Sequence, residues 1–222
     1  MRRRTARAAL LALVAAALAP AAAPGRTPLD GPPVPPAAPV PALLAPPSVA
    51  AGAPWDGRLR HGVLLPAWGP GFVTWDAVLH RAPNRAWRRW GTDRLVATLQ
   101  DVAALWALDH PGAPPLLVED LSRRRGGPFG ERFGGLGHAS HQNGLDADVS
   151  YPRRDGLLRA PWKPSQVDRA EAQELVDRFV AAGAQKVFVG PRLRLRGPRR
   201  VVVPLVHHDD HLHVRLPPAP RT

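Results

Sequence analysis

Six of the nine histidines in this chain sit in two short stretches, each interleaved with aspartate. The first reads GHASHQNGLDAD and contains His138, His141, Asp146 and Asp148. The second reads HHDDHLH and contains His207, His208, Asp209, Asp210, His211 and His213. Neutral imidazole and carboxylate are ligands of zinc, and a catalytic zinc site takes three protein ligands while keeping one position open. Such an ion lowers the pKa of a water to about 7, and an imidazole beside it can carry the proton to a leaving group. The chemistry these residues suit is therefore hydrolysis assisted by a metal.

Strands would bring the two stretches together. Side chains two apart on a strand share a face. Over residues 211–216, His211, His213 and Arg215 would face one way, and Leu212, Val214 and Leu216 the core. Over residues 145–149, Asp146 and Asp148 share one face, while Leu145, Ala147 and Val149 pack inward. If these half-buried strands are neighbours, two imidazoles and two carboxylates meet on one surface, with His141 arriving from the loop before. His211, two residues from His213, is well placed to be the imidazole near the metal but not on it. Asp209 and Asp210 read as turn residues, with orienting a histidine as the alternative, and His61, His80 and His110 as ordinary surface or packing residues.

The remaining elements supply the platform. Residues 93–110 carry apolar side chains at helical spacing, with Thr92 or Asp93 as cap and Pro111-Gly112 as stop. Residues 115–119 read as a buried strand and residues 123–137, rich in Gly and Arg, as a loop. A second helix is expected over residues 164–182, closed by Gly183, and a further strand over 186–190. Strands and helices mix without a regular βαβ alternation, which favours an α+β fold.

Composition bounds the rest. Residues 1–23 have an arginine-rich start and an apolar run of signal-peptide length. Residues 24–54 are a Pro/Ala-rich linker, and residues 55–222 hold all seven tryptophans and read as the folded domain. With no cysteine, disulfides, thiol nucleophiles and zinc fingers are excluded. The formal charge of +12 is carried by arginines scattered along the chain. They form no aromatic-interleaved or helical basic face, so nucleic acid is not expected as a partner. The tract 192–200 reads as solvated surface. No stable membrane insertion is expected once the leader is removed.

At the histidine clusters the chain resembles the penicillin-insensitive murein endopeptidases, within the wider group of lysostaphin-type, D-alanyl-D-alanine peptidase and hedgehog-type zinc domains. The group signature is a His, six intervening residues and an Asp, then His-x-His; here these are His141, Asp148 and His211-Leu-His213. PLLVEDLS, GHASHQNGLDADV and the terminal HVRL narrow the resemblance to the murein endopeptidases, over roughly residues 58–216. It implies His141, Asp148 and His213 as zinc ligands, and His138 in or beside the metal shell. It implies His211 as general base and His208 as a further active-site histidine. It implies a small antiparallel β-sheet flanked by helices, with a metal groove on the sheet face. Between residues 150 and 161 only Asp155 could serve a second metal, so one zinc ion is expected. The implied activity is hydrolysis of D-alanyl–diaminopimelyl cross-links of peptidoglycan, in the periplasm or outside the cell. A zinc D,D-carboxypeptidase acting on stem peptides, or a wall-binding pseudoenzyme without catalysis, are the alternatives.

Overall fold

A computed structural model of the chain describes residues 46–130 and 138–219. The expected leader and most of the expected linker lie outside these residues. The described residues all fall in one unit, Leu43–Thr222. Among them, no helix is long and apolar enough to cross a membrane.

The chain enters through a hairpin, β1 (Val49–Ala53) and β2 (Asp56–Arg60), paired from Val49↔Arg60 to Ala53↔Asp56. The folded part therefore takes in residues ahead of Trp55, where composition alone places its start. A short pair follows, β3 (Val63–Leu64) with β6 (Trp90–Gly91). The main sheet is built from β4 (Trp68–Gly69), β5 (Phe72–Thr74), β7 (Leu116–Val118), β8 (Asp146–Ser150), β9 (Lys186–Val189), β10 (Val202–Pro204) and β11 (His211–Arg215). Its order is β10-β9-β11-β8-β7-β5-β4. The expectation of a small antiparallel sheet is corrected in two respects. The sheet has seven strands, and β10–β9 and β5–β7 run parallel. Several strands are only two or three residues long, too short to leave an alternation in the sequence.

Helix α1 (Asp93–Asp109) matches its expected span, and Thr92 caps it by accepting from the Leu95 N–H at 3.2 Å. Helix α2 (Arg169–Ala181) is shorter than expected. Pro164–Gln166 forms a separate 3-10 turn, Val167 is extended, and Asp168 caps the helix by accepting from the N–H groups of Ala170 and Glu171. An Asp with its side chain on the backbone starts a helix rather than continuing one.

The core lies between one sheet face and both helices. Ala147, Val149, Val187, Val189, Leu212 and Val214 pack with Leu99, Trp106, Leu175, Val176 and Phe179. At roughly 1.5–3 kcal/mol per buried large apolar side chain, this layer holds the strands rigid. The opposite sheet face is left for the polar residues. β8 is buried along its whole length rather than half-buried, because its acidic side is covered too.

Candidate metal centre

The register of β8 and β11 sets the site. His213 lies across from Asp148, His211 from Ser150 and Arg215 from Asp146. Facing residues of an antiparallel pair share a face, so both aspartates and both histidines stand together, as the alternation predicts. On the other flank of β11, Phe188 of β9 lies across from His213.

His141 comes from the loop before β8, with its backbone in the left-handed region at φ 67°. That conformation is uncommon for a residue with a Cβ and is held by its surroundings. The His141 N–H donates to Asp146 Oδ2 at 3.3 Å. The β1–β2 hairpin grips the same loop: Gln142 N donates to Pro54 O at 2.9 Å, and Asn143 Nδ2 to Gly52 O at 3.2 Å. From the other side, the cap residue Thr92 donates its N–H to Gly144 O at 2.9 Å.

Four imidazoles converge on one carboxylate. His141 Nε2 lies 3.3 Å, His213 Nδ1 3.4 Å and His211 Nε2 3.9 Å from Asp148 Oδ1, and His138 Nδ1 lies 3.5 Å from Asp148 Oδ2. In each case the other ring nitrogen is tied to an oxygen. His141 Nδ1 meets the Leu121 carbonyl. His213 Nε2 meets Asp146 Oδ1, His138 Nε2 meets Asp120 Oδ2 and His211 Nδ1 meets Asp210 Oδ1, each at 2.8 Å. An outer oxygen fixes the ring and turns the inner nitrogen toward Asp148, where it can ligate once its proton has left, the usual arrangement around ligating histidines. His208 ties Nδ1 to Val206 O at 2.8 Å, and its ring stands 4.8 Å from that of His211. Of the six clustered histidines, His207 stays on the exposed turn.

Two of these buried atoms, His141 Nε2 and Asp148 Oδ1, have no hydrogen-bond partner although they face each other. Unsatisfied buried polar atoms are costly, and each asks for an explanation. A cation between them is one, and donor atoms of His138, His141 and Asp148 lie within 4.8 Å of one another. The His213 ring stands 4.7 Å from that of His141. A neutral-nitrogen and carboxylate set without thiolate fits zinc.

The electrostatics run the same way. Burial alone would raise the Asp148 carboxyl, but His141, His211 and His138 hold it well below the carboxylate range. Burial opposes protonation of His141, yet Asp148, Asp146 and Asp120 outweigh it and push that imidazole up to about 9. His211 rises to about 10, because Asp148, Asp210 and Glu119 overcome its burial. His213 and His208 are lowered, burial being the main cause in both. Protons on His141 and His211 occupy the position of positive charge that a dication would take.

A family model for penicillin-insensitive murein endopeptidase matches residues 50–189. The chain belongs to that family. The proteins most similar to it include a penicillin-insensitive murein endopeptidase of Salmonella heidelberg (strain SL476), 32% identical over 47% of this chain and 46% of that protein. One from Escherichia coli O139:H28 is 30% identical over 58% of this chain and 54% of its own length, and one from Shigella boydii serotype 18 matches to the same extent. The chain thus spans about half the length of the curated relatives it matches. The matched family segment contains His138, His141 and Asp148 and stops before the second cluster; the register of β8 and β11 brings His211 and His213 to Asp148, and the His208 ring stands beside that of His211.

Some partners carry little sequence signal. Arg88 belongs to no spaced motif, and Asp120 and Leu121 fall in PLLVEDLS, which the sequence alone does not tie to the histidines. Asp210, read as a turn residue, holds His211. Only the acidic pair in PLLVEDLS, directly after an apolar strand, marks Glu119 and Asp120 as carboxylates carried into the interior.

Proposed function

We propose that this chain is a zinc-dependent murein endopeptidase that hydrolyses D-alanyl–diaminopimelyl cross-links of peptidoglycan in the bacterial cell envelope. The observation that carries the reading is the convergence of inner imidazole nitrogens on Asp148 while each outer nitrogen is tied to an oxygen. His141, Asp148 and His213 would hold the zinc, with His138 beside them. Zinc held there supplies Lewis acidity and a water that ionises near neutral pH.

The chain's own residues do the rest. His211 is aimed by Asp210 so that Nε2 points inward, where it can accept the proton of the attacking water and deliver it to the leaving amine nitrogen. Asp148 is the main carboxylate raising His211; once its charge is shared with a dication it no longer holds the His211 proton so tightly. His208, lowered by burial and donating through Nδ1 to the Val206 carbonyl, presents Nε2 as an acceptor that can take a hydrogen bond from the attacking water. Asp146 takes His213 Nε2 at 2.8 Å and Arg215 Nε at 2.6 Å, so the His213 ring cannot turn its Nδ1 away.

The test is digestion of purified cross-linked muropeptide dimers by the full chain, with and without chelator, read by mass spectrometry. Conversion of dimers to monomers, abolished by chelator and restored by zinc, is the expected result. Zinc uptake with release of free D-alanine from monomers and no dimer cleavage would replace this reading with a carboxypeptidase. Zinc uptake with neither product would leave a wall-binding pseudoenzyme.

A further inference from the structure

Arg88 precedes the first clustered histidine by 50 residues. It ends the 3-10 turn Ala86–Arg88 and is only 2% exposed. A buried guanidinium is costly unless its donors are well paired, so its partners say what it is for. Its Nε donates to Asp120 Oδ1 at 2.6 Å, and its Nη2 donates to Asp120 Oδ2. Asn84 Nδ2 adds a bond to Asp120 Oδ1 at 3.0 Å. Asp120 Oδ2 then accepts from His138 Nε2 at 2.8 Å.

The main chain of Arg88 reaches a second histidine. Its carbonyl accepts from Leu121 N at 2.9 Å, and the Leu121 carbonyl in turn holds His141 Nδ1. A third connection is aromatic. The guanidinium lies 4.9 Å from the centre of the Phe129 ring, which stacks on His138 at 5.1 Å and on His141 at 6.0 Å.

We propose that Arg88 is the positioning residue of the metal shell. Through Asp120, Leu121 and Phe129 it fixes the rings of His138 and His141, so that Nδ1 of the first and Nε2 of the second face Asp148. The inference rests on the zinc reading above. Its fork matters as much as its charge, because only a guanidinium can bond both carboxylate oxygens in one plane. Arg88→Lys therefore keeps the charge and the main-chain bond to Leu121 and removes the planar grip on Asp120.

The experiment measures zinc affinity of the full chain by competition with a chromophoric chelator. Thermal unfolding in excess chelator and the visible spectrum of cobalt-loaded protein are measured alongside. For R88K the expected result is a roughly 10- to 100-fold loss of zinc affinity, the size typical of a lost outer partner of a metal-binding histidine. A changed cobalt spectrum and a metal-free melting temperature within a few degrees of wild type go with it. Asp120→Asn should do the same, and the double variant should lose little more than D120N alone, since both act in one chain of contacts. Should R88K not fold, D120N carries the test alone. Wild-type zinc affinity or an unchanged cobalt spectrum in the folded variant would overturn the assignment. Wild-type protein that binds no zinc would overturn the zinc reading itself, and this assignment with it.

Discussion

His211 and Glu119 separate two kinds of polar residue in the same layer. His211 faces the carboxylate on which the other histidines converge, and its loss should remove chemistry without removing metal. For His211→Ala, turnover of muropeptide dimers should fall by about 10²–10⁴, the usual weight of a general acid–base group. Zinc should remain at one equivalent by elemental analysis, and full activity in such a variant would sink the assignment. Glu119 is buried under the same surface, where the Ser150 hydroxyl donates to it. Burial pushes its carboxyl up to about 8. A carboxyl raised on folding contributes stability that is present below its unfolded value and is lost as pH rises towards its folded value. Metal-free Glu119→Gln should therefore gain stability relative to wild type from about pH 5 to pH 8, measured by urea unfolding. A difference that shrinks over that range would refute the account.

At the scale of elements, the strands that bear chemistry were legible because their alternation has to serve a core on one side. His211, His213, Asp146 and Asp148 fall on one face for the same reason that Leu212, Val214, Ala147 and Val149 fall on the other. What escaped were the parts positioned by distant contacts. Strand β1 lies in a stretch whose composition reads as linker, and Arg88 and Asp120 meet across 32 residues. Neither leaves a periodic trace. Gly190 was legible only as the end of a strand, yet a Cβ there would stand 2.4 Å from Asp209 Oδ1 and 2.5 Å from the His208 carbonyl. Its φ of −62° suits any residue, so the demand is for space alone. Gly190→Ala should push the 207–210 turn outward and misplace His208 and His211. Displacements near 1 Å can cost about 10²-fold in rate, so activity should drop by at least ~10-fold with zinc affinity unchanged. Removal of residues 1–54 rather than 1–45 takes away β1. It should lower the melting temperature and weaken zinc binding together, since the His141 loop loses its bond to Gly52.

For the molecule as a whole, metal and fold should be linked. Zinc that binds only the folded state at a hundred times its Kd adds about 2.7 kcal/mol. For a domain of this size that is a rise of roughly 5–10 °C in melting temperature. Scanning calorimetry with zinc and with chelator checks it; identical curves would mean that the ion is not held by the folded chain. The balance of burial and charge explains why. One sheet face is sealed by α1 and α2, and the other carries carboxylates and imidazoles whose protons substitute for a cation. Uptake of metal must then release protons, so apparent affinity should climb with pH.

The position of β11 has a consequence for how the protein comes into being. Among the described residues it follows every other strand but lies inside the sheet, between β9 and β8. It also delivers His211 and His213. A nascent chain that has not yet emerged past these residues has a split sheet and lacks His211 and His213. Closing the sheet joins segments far apart in sequence, which is a slow kind of folding step. Among the described strands, the one that closes the sheet is the one that brings His211 and His213 to Asp148.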